Sequence, residues 1–189
     1  LDGQSVMIED FLEFAANWEN RLETLIKNKQ LRVGPWYTKN DILIVHGESI
    51  IRNLYYGIKD TEKYGETMKV GYAPDTFGHS AQMPQIYKQF GIESSFFWRG
   101  FSELKSDKSD FIWEGIDGSK IYGINLSTGY QGAKYLENTK VELEKKKKKI
   151  MGVLDKYSIG EARLIMNGHD QMPIQKDIYE IIEKLKENK

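Results

Sequence analysis

The 189-residue sequence contains no cysteine and only four prolines. Without cysteine there is no disulfide framework and no thiolate metal site, so any bound metal must use histidine or carboxylate ligands. The same absence agrees with a reducing compartment, and we expect a cytoplasmic protein on that ground. No stretch approaches the roughly 18 consecutive apolar residues of a membrane span. The 27 basic and 28 acidic side chains nearly balance, which gives no electrostatic reason to expect nucleic acid or an anionic membrane as a partner.

Both ends of the sequence predict a piece of a longer protein. Leu1-Asp-Gly-Gln begins with neither methionine nor a basic, apolar signal segment. Residues 183–189 are charged and helix-forming, and they contain no cap or turn. We therefore expect residues 1–189 to be a single segment of one domain, incomplete at both ends, whose partner is the remainder of the parent protein.

Hydrophobic spacing predicts helices that alternate with short strands along the chain. The predicted strands are 31–33, 68–72, 95–98 and 163–166, and Ser80 is placed to cap the helix that precedes 95–98. A last helix is expected to carry Ile174 through Leu185. This alternation is typical of an α/β protein, and we expect part of a parallel (β/α) barrel-like domain. Asp117-Gly118 separates two further apolar segments, 111–113 and 120–124, and predicts a local β-hairpin.

Three polar residues, Asp75, Arg99 and Asp170, follow predicted strands. Ligands bind beyond the carboxyl ends of parallel strands, so we expect these side chains to contribute to one site. Two carboxylates and a guanidinium suit an oxygen-rich substrate that develops positive charge. Spacing alone leaves open that Asp75, which follows Pro74, is a turn or cap residue.

The segment Gly71–Gln85, GYAPDTFGHSAQMPQ, resembles the nucleophile segment of glycoside hydrolase family 38, the α-mannosidases. Other segments resemble the family in the same order: Val33–Tyr37, Gly47–Asn53, Phe90–Ile92 and Phe97–Gly100. The resemblance extends over almost all of the chain. It implies a zinc-dependent, retaining α-mannosidase that acts on α-mannosides or mannose-containing oligosaccharides through a covalent mannosyl-aspartate intermediate.

The resemblance also implies roles for five residues. Asp75 would be the nucleophile and a zinc ligand, and Asp170 the general acid/base. A retaining mechanism requires two such carboxyl groups about 5 to 5.5 Å apart. Phe77 would form a wall of the sugar site, Tyr130 would contact the sugar, and Arg99 would hold either the sugar or the carboxylate of Asp75.

The family's other zinc ligands, a His-x-Asp pair and a later histidine, have no counterpart in this sequence. We predict that His46 is a surface residue and that His79 makes a structural hydrogen bond at a helix start. For His169, zinc ligation and a supporting or solvent-exposed role both stay open. Because Asp75 is the one ligand that can be assigned, we expect the isolated chain to bind zinc weakly and to be inactive.

Two alternative functions remain. The missing ligands favour a non-catalytic carbohydrate-binding or assembly module on the same scaffold. Another zinc carbohydrate hydrolase, such as a polysaccharide deacetylase, would need paired-Asp and His-x-x-x-His segments, which the sequence lacks. Trp36 and Tyr37 suit either sugar stacking or burial in a core.

Overall fold

A computed structural model describes residues 2–102 and 106–187, without the side chain of Glu187. The helices are α1 (Val6–Phe14), α2 (Glu19–Lys27), α3 (Gly47–Glu62), α4 (Met83–Gln89), α5 (Lys140–Tyr157) and α6 (Ile178–Glu187), and a 3-10 turn lies at Ala16–Trp18. The strands are β1 (Gly71–Ala73), β2 (Ser94–Phe97), β3 (Asp110–Glu114) and β4 (Lys120–Asn125). The described residues form two compact units, one within 1–101 and 111–124 and the other within 102–110 and 125–189. That both units belong to one domain stays a prediction.

The four strands form one sheet in the order β1-β2-β4-β3. β1 and β2 are parallel, with Gly71 opposite Ser95 and Ala73 opposite Phe97. A parallel pair needs a crossover connection, and α4 lies in the connection between these two strands. The hydroxyl of Ser95 donates to the carbonyl of Gly71 at 2.7 Å and adds a buried bond to the pairing. The structure therefore confirms a mixed α/β fold in which β1 and β2 run parallel.

Two of the predicted strands do not form. Residues 31–33 make one backbone bond to a neighbouring segment, in which Met68 N–H donates to the carbonyl of Val33 at 2.8 Å, and this is not a ladder. Residues 163–166 are irregular, although the carbonyl of Met166 accepts the N–H of Ala133 at 2.9 Å. An apolar run predicted a strand there, but Leu164 and Ile165 are exposed. Without burial or a continuous pairing partner, apolar composition does not produce a strand.

Two helices begin later than the sequence predicts. Ser80 does not cap α4; its hydroxyl accepts the N–H of Gln82 at 3.2 Å and its carbonyl accepts the N–H of Met83 at 3.0 Å. These bonds form a turn that precedes the helix, whose first turn contains Pro84, where the missing N–H costs nothing. α6 begins at Ile178, so Ile174 lies outside it.

The connection between β3 and β4 has the features of a tight turn. The strands are hydrogen-bonded neighbours in the sheet. Gly115 N–H donates to the carbonyl of Ser119 at 2.8 Å, and Ser119 N–H donates to the carboxylate of Asp117 at 3.0 Å. Gly118 has φ +83°, a conformation that favours glycine. The β-hairpin itself stays a prediction.

Each unit has its own hydrophobic core. Buried residues of the first include Leu54, Met83, Tyr87 and Ile92, and those of the second include Leu143, Ile150, Leu154 and Ile181. Trp36 is also buried in the first core, and its indole N–H donates to the carbonyl of Tyr72 at 2.9 Å. Of the two roles that the sequence allows for Trp36, sugar stacking and burial in a core, the structure supports burial.

Within residues 2–102 and 106–187, we find no helix with both the length and the apolar character needed to cross a membrane.

Candidate active site

Asp75 and Arg99 form an ion pair beyond the carboxyl ends of β1 and β2. The Nε–H of Arg99 donates to Oδ1 of Asp75. Each residue lies two positions past its strand, and the register sets Ala73 opposite Phe97, so parallel pairing brings the two side chains together. Trp98 N–H donates to the carbonyl of Pro74 at 3.1 Å, which extends the contact between the two segments past the strands.

The Asp75–Arg99 pair orients a carboxylate more than it stabilises the fold. The side chains are 39% and 40% exposed. Solvent screens such a pair, so its contribution to the free energy of unfolding is about 1 kcal/mol or less. One oxygen of Asp75 is held by a rigid, charged donor, and this fixes the direction in which the carboxylate points.

Aromatic rings flank the guanidinium of Arg99. Its Cζ lies 4.8 Å from the ring centroid of Phe77 and 4.4 Å from that of Trp98, within the range of cation–π attraction. Phe77 is 68% exposed, which is high for a phenylalanine. An open aromatic ring beside a charged side chain suits a ligand that presents both apolar and polar surface. The substrate-binding roles of Phe77 and Arg99 stay predictions.

His79 connects the segment after β1 to the segment after β2. Its Nε2 lies 3.1 Å from the carbonyl oxygen of Arg99. A carbonyl can only accept, so Nε2 carries the proton. The imidazole packs against the rings of Phe97 and Trp113, with centroid distances of 4.5 and 5.6 Å. The predicted structural hydrogen bond is therefore present, but it reaches the neighbouring segment and not a helix start.

The second unit holds the other two predicted site residues, Tyr130 and Asp170. The phenol of Tyr130 donates to Oδ2 of Asp170 at 2.7 Å. Asp170 lies in an exposed turn, and the next residue, Gln171, has φ +56°. The expected position of Asp170 at a strand end is wrong, because residues 163–166 form no strand. The predicted carboxylates thus belong to different units, Asp75 to the first and Asp170 to the second.

The remaining histidines have different surroundings. His46 caps α3, because its Nδ1 accepts the N–H of Glu48 at 3.3 Å. No sequence pattern predicts this cap, since histidine is not among the preferred capping residues. His169 is exposed, and its ring lies edge-on to that of Tyr135 at 5.8 Å.

The described residues do not fit a complete zinc site. Across 2–102 and 106–187, we find no group of three or more histidine, aspartate or glutamate side chains that could hold a metal ion. A catalytic zinc normally takes three protein ligands. Asp75 is thus a candidate zinc ligand, but the described residues do not place two further ligands around it.

The chain belongs to glycosyl hydrolases family 38, since the N-terminal domain of that family matches residues 4–189. A putative mannosylglycerate hydrolase of Halalkalibacterium halodurans is 34% identical over 96% of this chain and 22% of its own length. An alpha-mannosidase of Saccharomyces cerevisiae is 34% identical over 61% of this chain and 11% of its own length.

A solved structure has the same fold over the whole chain. The crystal structure of an alpha-mannosidase from Enterococcus faecalis V583 superposes with a TM-score of 0.95 at 29% identity and covers 100% of this chain. The match covers 22% of that protein. This chain therefore spans about a fifth of the length of this structure and of the Halalkalibacterium relative.

The environment of His79 predicts how stability changes with pH. Burial is the largest cause and lowers the pKa of His79 below its ordinary value of 6.5, while the hydrogen bond to Arg99 and the charge of Asp41 act the other way. The neighbouring rings of Phe97 and Trp113 carry no charge. Because the folded pKa lies below the unfolded one, the unfolded state binds the proton more readily, and stability is lost as pH falls below about 6.5.

We therefore expect the free energy of unfolding to fall more between pH 7.5 and 5.5 for the wild type than for His79→Gln. Urea unfolding at both pH values measures this difference, and His46→Gln is the control for a histidine at a helix cap. An equal pH response of wild type and His79→Gln would contradict the burial argument.

Proposed function

We propose that the parent protein is a retaining α-mannosidase that hydrolyses terminal α-mannosides, with Asp75 as the nucleophile. The observation that carries this proposal is the ion pair beyond β1 and β2 between Arg99 and Asp75, the latter inside the segment that resembles the family's nucleophile segment. The names of the Enterococcus and Saccharomyces relatives support the same activity. Since the chain spans about a fifth of the Enterococcus protein, we assign the activity to the parent and not to these 189 residues.

The proposed reaction divides its work between two carboxyl groups. An oxygen of Asp75 attacks the anomeric carbon while the bond from that carbon to the leaving oxygen breaks, and Asp170 gives its proton to the leaving oxygen. In the second step Asp170 takes a proton from water, the water oxygen bonds to the anomeric carbon, and Asp75 is released. Configuration is retained because the carbon is inverted twice.

The residues around the two carboxyl groups support these roles. Arg99 directs one oxygen of Asp75, so the other is left to attack. Tyr130 donates to Asp170 and fixes its orientation. Phe77 offers an apolar surface on which a sugar ring can stack.

We further propose that the parent enzyme depends on zinc, with Asp75 as one ligand and the others supplied from outside these residues. Bound zinc would supply Lewis-acid chemistry and a template for sugar hydroxyls. The isolated chain is then inactive.

The proposal includes a parallel (β/α) barrel-like domain, for which the β1-α4-β2 crossover is the supporting feature. A cytoplasmic location rests on the absence of cysteine and stays a prediction.

A second candidate substrate is mannosylglycerate. The Halalkalibacterium relative, a putative mannosylglycerate hydrolase, is similar over 96% of this chain. Rates measured on mannosylglycerate and on an aryl α-mannoside separate the two substrates. Binding of mannosides without hydrolysis would favour the non-catalytic module, and release of acetate from acetylated polysaccharide would favour a deacetylase.

A fluorinated mannosyl donor should label Asp75 in the full-length protein, because it forms the covalent intermediate but slows its breakdown. Peptide mass spectrometry locates the label. Asp75→Asn should lower kcat by roughly 10⁴-fold or more, since the nucleophile is removed. Asp117→Asn, a change in the exposed turn between β3 and β4, is the matched control and should retain activity. A label on any other residue would contradict the assignment.

Loss of Asp170 should depend on the leaving group. Asp170→Asn is expected to slow hydrolysis of a mannoside with a poor leaving group by about 10² to 10⁴-fold. A dinitrophenyl mannoside needs little protonation, so its first step should be affected far less. Asp177→Asn, in the same unit, is the control. Equal losses on both substrates would show that Asp170 is not the general acid.

Metal removal tests the zinc proposal. Chelation should abolish the activity of the full-length protein, and added zinc should restore it. The isolated 189-residue chain should show neither tight stoichiometric zinc binding by calorimetry nor turnover of an aryl α-mannoside. Either result with the isolated chain would contradict the view that the site needs ligands from elsewhere.

A further inference from the structure

The segment after β2 is fixed to the segment after β1 at two backbone positions on either side of the Trp98–Arg99 peptide. Trp98 N–H donates to the carbonyl of Pro74 at 3.1 Å. The Nε2–H of His79 donates to the carbonyl of Arg99 at 3.1 Å. Because the guanidinium extends from this same residue, the two bonds determine where the Arg99 side chain starts.

A close backbone approach accompanies the histidine bond. Gly100 has φ +76°, and a Cβ on it would lie 2.8 Å from Cα of Gly78 and 3.1 Å from Cδ2 of His79. Distances under 3.0 Å are not tolerated between such carbon atoms. The segments therefore interlock beside His79, and the ring occupies a fixed position against Phe97 and Trp113.

The imidazole does not have the geometry of a proton-transfer group. Its Nδ1 is buried and finds no hydrogen-bond partner among the described residues, and its Nε2 is committed to a backbone carbonyl. A general acid or base must reach the reacting atoms. The ring therefore acts through the bond that it makes to the Arg99 peptide.

We propose that His79 is a positioning residue for the nucleophile, and this rests on the proposed function of Asp75. His79 fixes the Arg99 peptide, Arg99 directs Oδ1 of Asp75, and the second oxygen of Asp75 is thereby aimed at the anomeric carbon. Loss of the His79 bond removes no reacting group, but it lets the guanidinium of Arg99 move and the carboxylate of Asp75 shift with it. Displacements of about 1 Å in such a constellation cost on the order of 10²-fold in rate.

The test compares two substitutions in the full-length enzyme. His79→Phe keeps a ring between Phe97 and Trp113 but removes the N–H donor, and His79→Gln keeps an amide donor near the position of Nε2. We expect His79→Phe to lower kcat by about 10 to 10²-fold with KM changed by less than about three-fold. His79→Gln should recover most of that loss. His46→Phe, which removes a helix cap outside the site, should leave kcat unchanged.

Thermal unfolding and crystal structures of the variants separate positioning from folding. An unchanged kcat in His79→Phe, or a rise in KM alone, overturns the proposal. A loss that His79→Gln shares, with a matching fall in Tm, shows a purely structural role and also overturns it. A His79→Phe structure in which Arg99 still donates to Asp75 overturns it whatever the activity. If wild type is neither active nor labelled at Asp75, the proposed function fails, and the Arg99–Asp75 distance in the variant still decides the role of His79.

Discussion

Three residue pairs between β1 and β2, from Gly71 with Ser95 to Ala73 with Phe97, fix how the segments beyond both strands meet. In a parallel pair the carboxyl ends lie at the same edge, so residues that follow each strand at the same distance become neighbours. Asp75 and Arg99 are such residues. The ion pair is a consequence of register, and a slip of one residue would turn one of the two side chains to the other face.

Packing around Arg99 then restricts how its side chain meets Asp75. Arg99 has a charged partner in Asp75 and aromatic rings on its guanidinium, while its peptide is held by His79. Because these side chains are partly exposed, each electrostatic contact contributes little to the free energy of unfolding. Several contacts on one side chain nevertheless restrict its rotamers, and an oriented carboxylate is what a nucleophilic mechanism requires. Open solvent access at Phe77 leaves room for a ligand beside it.

The sequence predicts well those features that depend on local patterns. Most of the last predicted helix forms as α6, because its apolar residues from Ile178 to Leu185 recur at helical spacing. Asp75 and Arg99 could be placed at strand ends because short apolar segments precede both. The strand expected before Asp170 fails because apolar composition at 163–166 does not by itself supply a pairing partner. The bond from His79 to Arg99 spans 20 residues and requires the β1-α4-β2 crossover, so no local pattern contains it.

A crystal structure of the full-length protein would show directly whether the register between β1 and β2 brings Asp75 to Arg99. We expect Ala73 opposite Phe97 and the Nε of Arg99 at a charge-assisted hydrogen-bond distance, about 2.7 to 2.9 Å, from a carboxylate oxygen of Asp75. A shifted register, or a separation of more than about 4 Å between these atoms with Arg99 bonded elsewhere, would contradict it.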